Sequence, residues 1–378
     1  QADANVAVGV NALATQNAST DESYNTAVGH NAGRQVTTGV QNTIVGGVAG
    51  DALTTGTDNI AIGFTALSAD TKGNKTTAIG RTALLSQNFT TSTDTYNVAV
   101  GYDAGRNVTT GQENTLIGGL AGDALTDSDG NVALGVQALS ADTLGARNTA
   151  LGRSALAAQN FTTATNAYNV AIGYAAGVSV TTATDVTLIG GLAGDAITTG
   201  TDNVAVGSSA MTNNTASNRN IAIGSDSLFT LNHTGSTNGY NIGIGHSAGQ
   251  NMTTGASNTI VGGLAGDALT DASFNVAVGR SALTDDTLGS RSVAIGYNAL
   301  GTQNFTTATD TYNTAVGFQA GVAVTTGLRN TFAGGESGDA TNTGDDNTFI
   351  GYAAGGAHTT SDDNTALGSF ALTGAVTG

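Results

Sequence analysis

Short apolar segments recur along the whole chain, and each begins with a polar residue and ends with glycine. The typical segment reads Asn-(Thr/Val/Ile)-Ala-(Val/Ile)-Gly. Short β-branched stretches bounded by Gly, Asn and Asp are typical of strands between tight turns. The high Gly, Thr and Asn content disfavours helix. The pattern therefore predicts an all-β chain in which each repeat unit contributes two short strands and two turns.

The segments are evenly spaced. There are 21 copies between Asn5 and Asn364, with Asn in the first place in 18 copies and Gly in the fifth place in all of them. From Asn25 onward the steps run 17, 17, 17 and 21 residues, a cycle of 72. A unit this short cannot bury an apolar face alone, so units must stack. The sequence predicts one continuous β-solenoid (β-roll) of 21 coils over residues 1–378, composed of an odd coil at 1–24 and blocks at 25–96, 97–168, 169–240, 241–312 and 313–378.

Two polar columns are expected to run along the stack. The first is the Asn at the start of each unit, and the second is a Thr or Asn twelve residues later. Stacked Asn or Thr side chains can hydrogen-bond along the axis of a β stack. With coils ~4.8 Å apart, the 21 coils predict a rod on the order of 100 Å long. The predicted structural ladder begins with Asn25, Asn42, Asn59, Thr37, Thr54 and Thr71.

Composition and charge exclude several classes of protein. The chain has 55 Gly but no Pro and no Cys. Without Cys there is neither a disulfide framework nor a thiolate metal site. The net charge of −17, from 28 acidic and 11 basic residues, argues against nucleic-acid partners. No apolar run approaches the ~20 residues that a membrane span needs, so membrane insertion is not expected.

The repeat motif resembles a known family. Asn203-Val-Ala-Val-Gly207 and Asn220-Ile-Ala-Ile-Gly224 are similar to the head repeats of YadA-like trimeric autotransporter adhesins and to related β-roll repeats of bacterial and phage fibres. That resemblance implies a left-handed parallel β-roll, usually with three chains side by side, that serves surface attachment. The 17-residue unit with a regular 21-residue fourth member is longer than the usual repeat of that family.

The four extra residues of each long unit form candidate contact segments. A Tyr ends each long unit, and a Phe follows the ladder Asn in three of them. Because aromatic residues favour interfaces, one interpretation is a lateral contact strip. The other is an excursion that folds its own Phe and Tyr back onto the solenoid, and the two are compatible. The candidates are Tyr24, Tyr96, Tyr168, Tyr240, Tyr312, Phe89, Phe161 and Phe305.

Two modification or ligand patterns also occur. The long units each contain Asn-x-(Ser/Thr), the acceptor pattern for N-glycosylation in secreted proteins, although an Asn in an inward ladder column could not carry a sugar. Asp127-Ser-Asp-Gly130 resembles part of a Ca²⁺ loop but lacks the closing Glu, so Asp127 and Asp129 are a weak Ca²⁺ candidate and no other cofactor or metal site is expected. The acceptor candidates are Asn17, Asn88, Asn160, Asn232 and Asn304.

The sequence predicts a mechanical rather than a chemical role. The four His residues are scattered and no Ser–His–Asp set recurs, so an enzyme is not expected. We expect a structural or adhesive subunit of an extracellular or cell-surface fibre, which associates with itself by end-to-end stacking or side by side and contacts a surface receptor or glycan. The alternative is a phage tail-fibre segment on a virion. A less favoured reading is an ice-binding protein, because Asn interrupts the Thr ladder in every fourth unit.

Overall fold

A computed structural model describes residues 4–17 and 22–374. Those residues form strands and turns, and none of them is helical. The chain divides into two compact units, Gln1–Val186 and Thr187–Gly378. The first holds ten parallel three-residue strands and the second holds eleven, one for each repeat. The predicted all-β solenoid of 21 coils is confirmed, whereas continuity across residues 1–378 stays a prediction.

In the first unit, each strand pairs in parallel with the strand of the next coil. Ala99, for example, lies opposite Leu116, which lies opposite Ala133. Four two-residue strands form additional pairs, β5 with β7 and β11 with β13. The strands are β1 (Val6–Val8), β2 (Thr26–Val28), β3 (Thr43–Val45), β4 (Ile60–Ile62), β5 (Gly73–Asn74), β6 (Thr77–Ile79), β7 (Thr93–Asp94), β8 (Val98–Val100), β9 (Thr115–Ile117), β10 (Val132–Leu134), β11 (Gly145–Ala146), β12 (Thr149–Leu151), β13 (Thr165–Asn166) and β14 (Val170–Ile172).

The second unit repeats this arrangement, and its two-residue strands β21 and β23 pair with each other. Its longer strands also pair in parallel from coil to coil. The strands are β15 (Thr187–Ile189), β16 (Val204–Val206), β17 (Ile221–Ile223), β18 (Ile242–Ile244), β19 (Thr259–Val261), β20 (Val276–Val278), β21 (Gly289–Ser290), β22 (Val293–Ile295), β23 (Thr309–Asp310), β24 (Thr314–Val316), β25 (Thr331–Ala333), β26 (Thr348–Ile350) and β27 (Thr365–Leu367).

Each coil has a strand side and a return side, and the return side differs from the prediction of a second strand. It is strand only in the short segments named above, because left-handed residues interrupt the extended backbone. In the coil that begins at Asn42 these are Val48 and Gly50, with φ of 61° and 49°. Backbone hydrogen bonds still join the return sides of neighbouring coils, as from the Thr37 N–H to the Thr54 oxygen at 2.9 Å. Both sides of the coil therefore hold the stack together.

The Asn at the start of each strand ties these two sides to one another and to the next coil. The Asn42 Nδ2 donates to the Gly56 oxygen on the return side of its own coil, at 2.9 Å. The Asn42 Oδ1 accepts the backbone N–H of Asn59 at 3.0 Å, and Asn25 and Asn59 make equivalent bonds. These side chains are fully buried. Each amide thus satisfies a backbone carbonyl and a backbone N–H that would otherwise be unpaired in the interior.

The invariant glycine is required where each strand ends, because backbone of the next coil lies against it. Gly190 has a φ of +136°, and a Cβ placed there would lie 2.3 Å from the Gly207 oxygen. Residues with a side chain rarely adopt this conformation. The next residue, Gly191, has no atom within 4 Å of such a Cβ. Only the first of these two adjacent glycines is sterically necessary.

The narrow core keeps its volume constant by exchanging large side chains between positions. In one coil Leu116 and Leu125 fill the interior, and a Cβ on Gly122 would lie 2.8 Å from each of them. In the next coil the strand residue is Ala133, and Leu139 occupies the position of Gly122. Leu139 has a left-handed φ of 54°, a conformation that costs roughly 1–2 kcal/mol for a residue with a Cβ. Filling the core offsets this strain.

In most pairs of coils where Leu stands at that glycine position, Asp and Gln take the repeat position of Leu125. The Asp of one coil and the Gln of the next form a buried polar pair. The Asp70 Oδ1 accepts the Gly73 N–H at 3.0 Å and the Phe89 N–H at 3.1 Å, and its Oδ2 accepts Gln87 Nε2 at 2.7 Å. Burial raises the pKa of Asp70, although the hydrogen bond from Gln87 opposes the shift. Equivalent pairs are Asp142 with Gln159 and Asp286 with Gln303. The block at 169–240 instead carries Asn214 and Leu231, which removes the buried charge and its partner together.

We expect Gly190→Ala to destabilise the fold far more than Gly191→Ala. The first substitution forces a Cβ into the Gly207 carbonyl, which must then move, whereas the second enters open space. Urea unfolding should show a loss of several kcal/mol for the first variant, and a change within about 0.5 kcal/mol for the second, as for most surface substitutions. Equal losses in the two variants would contradict the close approach of neighbouring coils.

Asp70→Asn should be destabilising alone and largely rescued by Gln87→Leu. The new amide must turn its Nδ2 toward a donor, either Gln87 Nε2 or one of the two N–H groups, which leaves a buried donor unpaired at about 1–3 kcal/mol. The double variant copies Asn214 and Leu231, where the Asn214 Nδ2 donates to the Ser217 oxygen and its Oδ1 accepts the Ser217 N–H. Denaturant unfolding of the wild type, the two single variants and the double variant measures the coupling free energy between residues 70 and 87. Strictly additive losses of stability would contradict the expected rescue.

The same two residues make stability depend on pH with a defined sign. The folded pKa of Asp70 lies above its unfolded value of about 3.9. Its favourable contribution is therefore fully present below the unfolded pKa and is lost as pH rises through the folded pKa. Unfolding at several pH values should show the wild type gaining stability relative to Asp70→Asn/Gln87→Leu as pH falls. A difference that does not vary with pH would argue that Asp70 is not desolvated.

Candidate interaction surface

The outward side chains of the strands form an uninterrupted uncharged surface on each unit. The middle residue of a typical strand is buried, whereas the first and third point outward. The third residue is Val, Ile or Leu in 20 of the 21 strands, with Ala333 the exception, and the first is Thr, Val or Ile. We call these two columns the apolar strand face. No charged residue interrupts it within the strands that the structure describes.

The apolar strand face is large for a protein surface. Ten strands spaced ~4.8 Å apart extend ~48 Å in the first unit, which gives an area on the order of 500 Å². This lies near the upper end of the roughly 300–600 Å² found for the largest patch of a monomer, and such patches often mark interaction sites. Leu134 and Leu367 are 42% and 77% exposed. The face has the size and chemistry of an association surface.

The predicted Tyr column borders this face. Each Tyr immediately precedes the Asn that opens the next coil, and all five are about half exposed. A cation from the preceding coil packs against four of the rings: Lys75 lies 5.2 Å from the ring centre of Tyr96, and Arg147 lies 6.0 Å from that of Tyr168. The Tyr240 and Tyr312 rings contact Arg219 and Arg291 in the same way. The Tyr rings are therefore held outward at cation–π distances.

Of the two interpretations, the Phe candidates follow the second, in which the long unit folds its aromatic side chains back onto the solenoid, and they are not outer contact residues. Phe89, Phe161 and Phe305 are at most 7% exposed and cannot form an outer contact surface. Their backbone N–H groups donate to Asp70, Asp142 and Asp286 at 3.1 Å, which turns the loop back over the coil. The long unit therefore divides its two aromatic residues: the Phe closes the interior and the Tyr faces outward.

The structure adds a second exposed aromatic column that the sequence reasoning missed. It lies directly after the invariant Gly, on the other border of the apolar strand face. Arg81 and Arg280 pack against Tyr102 and Tyr297 at 5.7 and 5.8 Å, and Tyr297 stacks on Phe318 at 5.4 Å. Alignment of the repeats on the invariant Gly would have revealed the column. Its members are Phe64, Tyr102, Tyr174, Tyr297, Phe318 and Tyr352.

The Thr and Asn column lies near the surface of the return side. Thr37 and Thr54 are half-buried, and each hydroxyl donates to the backbone oxygen of the Thr in the next coil, at 3.1 and 2.9 Å, rather than to its side chain. Thr71 donates to the Asn88 Oδ1 at 3.1 Å. The expectation that Asn in this column points inward was wrong, since Asn17, Asn88, Asn160, Asn232 and Asn304 are all exposed. Glycosylation at these five positions stays a prediction, and burial no longer argues against it.

The weak Ca²⁺ candidate has carboxylates that already accept hydrogen bonds. The Asp127 Oδ1 accepts from the hydroxyls of Thr109 and Thr110, and the Asp129 Oδ1 accepts the Gln112 N–H at 2.7 Å. The Thr110 hydroxyl, and then that of Thr109, lowers the pKa of Asp127. Within residues 4–17 and 22–374, no cluster of three or more His, Cys, Asp or Glu is arranged to hold a metal ion.

Phe161→Ala and Tyr168→Asn should separate the buried from the exposed aromatic residue of one long unit. We expect a loss of about 3 kcal/mol or more for Phe161→Ala, typical of a buried Phe. Tyr168→Asn should cost less than about 1 kcal/mol, because Asn tolerates the left-handed φ of 52° and only the contact with Arg147 is lost. Thermal or urea unfolding gives the comparison. A larger loss for Tyr168→Asn would contradict the orientation of the loop.

Comparisons with known proteins do not add a family. No family model matches the chain, and no curated protein or solved structure does. The resemblance to YadA-like heads therefore rests on the repeat motif and stays a prediction. Across the part of the chain that the structure describes, no helix has the length and apolar character to span a bilayer.

Proposed function

We propose that the chain is a non-enzymatic structural subunit of an extracellular fibre or filament, in which copies associate through the apolar strand face. The observation that carries the proposal is the uncharged face itself. The chain has a net charge of −17, yet no charged side chain lies on the described three-residue strands that form this face. Like-charge repulsion between copies would be smallest at this surface.

The area of the face suits lateral association. Each unit offers on the order of 500 Å², and a standard interface buries about 800 Å² per partner. The exposed Tyr and Phe columns on the borders of the face enlarge this surface and add aromatic contacts of the type that dominate interfaces. Three copies packed by this face would match the arrangement implied by the resemblance to YadA-like repeats.

Stacking of coils end to end is the second assembly mode that we propose. It rests on the repeat itself, because every coil offers its neighbour the same parallel strand register, as β26 does to β27. An unpaired strand edge is a template for a strand from another copy. Electron cryomicroscopy distinguishes the modes: stacking gives filaments with a ~4.8 Å layer spacing, whereas lateral association alone gives discrete particles.

Lysine placed on the apolar strand face should abolish lateral association. Leu134→Lys/Leu151→Lys adds two positive charges at exposed positions, so the fold should persist while close packing of the face would bury unpaired ammonium groups. Light scattering coupled to size exclusion should show a multimer for the wild type and a single chain for the variant.

The matched control places the same charges on a long loop. Thr162 and Thr163 are exposed and lie outside the strands, so Thr162→Lys/Thr163→Lys should leave the multimer unchanged. A wild type that stays single at high concentration would reject lateral association, as would equal masses for the two lysine variants.

Alternative functions can be tested on the same protein. A phage tail-fibre segment on a virion needs the same association, and the attachment of purified chains to bacterial cells separates it from a cell-surface adhesin that binds a host receptor or glycan. Ice binding needs a flat array of free Thr hydroxyls, whereas the Thr37 and Thr54 hydroxyls bond to carbonyl oxygens. A thermal hysteresis measurement tests that third reading.

A further inference from the structure

A cavity of about 220 Å³ opens in the block at 97–168, apart from the apolar strand face. Three consecutive coils line it: residues 127–129 come from one coil, Leu144, Ala146 and Arg147 from the next, and residues 164–166 from the long third coil. Its volume is below the roughly 300 Å³ at which sites for drug-sized ligands begin. The cavity can hold one small ring-shaped molecule.

The cavity exists because one repeat position lacks its usual polar side chain. The residues equivalent to Ala146 in the third coils of the other blocks are Asn74, Asn218, Ser290 and Asp362, the last of which accepts the Asp345 N–H at 2.8 Å. Each accepts a backbone N–H from the preceding coil: Thr57 donates to Asn74 at 3.0 Å, Thr201 to Asn218 at 2.8 Å and Ser273 to Ser290 at 3.0 Å. The two Asn side chains also donate to Ser92 and Ser236 on the long coil, at 3.1 and 3.0 Å. In those blocks a side chain occupies the space that is open at Ala146.

The substitution leaves one backbone donor beside the cavity without its usual acceptor. The backbone N–H of Asp129 has the same repeat position as the N–H groups of Thr57, Thr201 and Ser273. Those three donate to a side chain of the next coil, whereas the methyl group of Ala146 offers no acceptor. Ser128, at the position of Gly56 and Gly200 in other coils, also lines the cavity, but its hydroxyl is buried inside the coil without a hydrogen-bond partner. A buried polar group without a partner is costly unless a ligand or water satisfies it.

The remaining lining defines the chemistry of the occupant. Arg147 donates to Asn166, and its guanidinium also packs against the exposed ring of Tyr168. Asp127 and Asp129 supply carboxylates against this one cation, so the site has no excess positive charge with which to hold an anion. Leu144, Ala146 and Ala164 form an apolar floor. Donors, acceptors and an apolar floor around a small volume suit a neutral ring that carries several hydroxyl groups, each able to donate and accept.

We propose that this cavity binds one neutral sugar ring, through Asp129 and Arg147, with the apolar floor against the carbon face of the ring. As an attachment site it rests on the proposed function of a fibre subunit. Binding itself is a property of the single chain. The ring can come from a free monosaccharide or from the end of a surface glycan, and the two sources present the same chemistry.

The test uses the full chain and two kinds of probe. Neutral methyl glycosides of glucose, galactose and mannose are titrated into the protein and followed by saturation-transfer NMR, and a panel of immobilised neutral glycans is screened in parallel. We expect at least one glycoside to bind with a Kd in roughly the millimolar range. Signals with free glycosides alone identify a free sugar, whereas retention of the protein by glycans carrying the same ring identifies a surface glycan.

Ala146→Asn is the decisive variant, because it inserts the side chain that Asn74 and Asn218 place there. It should raise Kd at least about tenfold, through occlusion and loss of the free donors. Ser290→Asn is the matched control, with the same new residue at the same repeat position where no gap exists, and it should leave Kd unchanged. Arg147→Ala, which removes an exposed side chain that lines the cavity, provides a second loss-of-binding variant should Ala146→Asn disturb the fold.

Two results would overturn the proposal: no glycoside or glycan binds the wild type, or binding persists unchanged in both Ala146→Asn and Arg147→Ala. Light scattering on the same samples keeps the outcome separate from the assembly proposal. A chain that remains single but binds sugar rejects fibre assembly alone. A multimer that binds no sugar rejects the cavity site alone.

Discussion

The buried amide of the Asn that opens each strand is the interaction on which the coils depend. Its Nδ2 holds the return side of its own coil and its Oδ1 holds the next coil, as at Asn42 with Gly56 and Asn59. A flattened coil of about 17 residues has few apolar atoms inside, so unpaired backbone groups would be especially costly there. One side chain that satisfies both a carbonyl and an N–H in most coils lets such a narrow interior exist.

A narrow interior also constrains how side-chain volume is distributed. Leu116 and Leu125 require glycine at position 122, whereas Ala133 allows Leu139 at the equivalent place in the next coil. The exchange introduces left-handed leucines and a buried Asp–Gln pair in the third and fourth coils of most blocks. The 72-residue period therefore reflects alternating solutions to one packing problem. Asn214 and Leu231 show that the buried charge can be dispensed with when both partners change together.

Repetition has a second consequence at the surface. A side chain that points outward in one coil points outward in its neighbours, so any uncharged outward position becomes a long uncharged column. The third strand position forms such a column and yields the apolar strand face, while the two aromatic columns border it with cation–π contacts. A departure from the repeat creates a local feature instead, as Ala146 does by interrupting a series of hydrogen-bonding side chains.

The sequence alone determined the all-β class, the number of coils and the positions of the invariant Gly and Asn, because identical units must stack in register and the motif is repeated 21 times. Only the tertiary structure decided which residues of a coil face inward. Phe161 and Tyr168 look alike in the repeat pattern, yet the hydrogen bond from the Phe161 N–H to Asp142 turns one ring inward and leaves the other outside. Asn88 and its equivalents are exposed for a similar reason, since left-handed residues turn the return side by angles that strand periodicity does not encode. The cavity at Ala146 is lined by residues within 127–166 from three consecutive coils, and these residues come together only when the chain is wound.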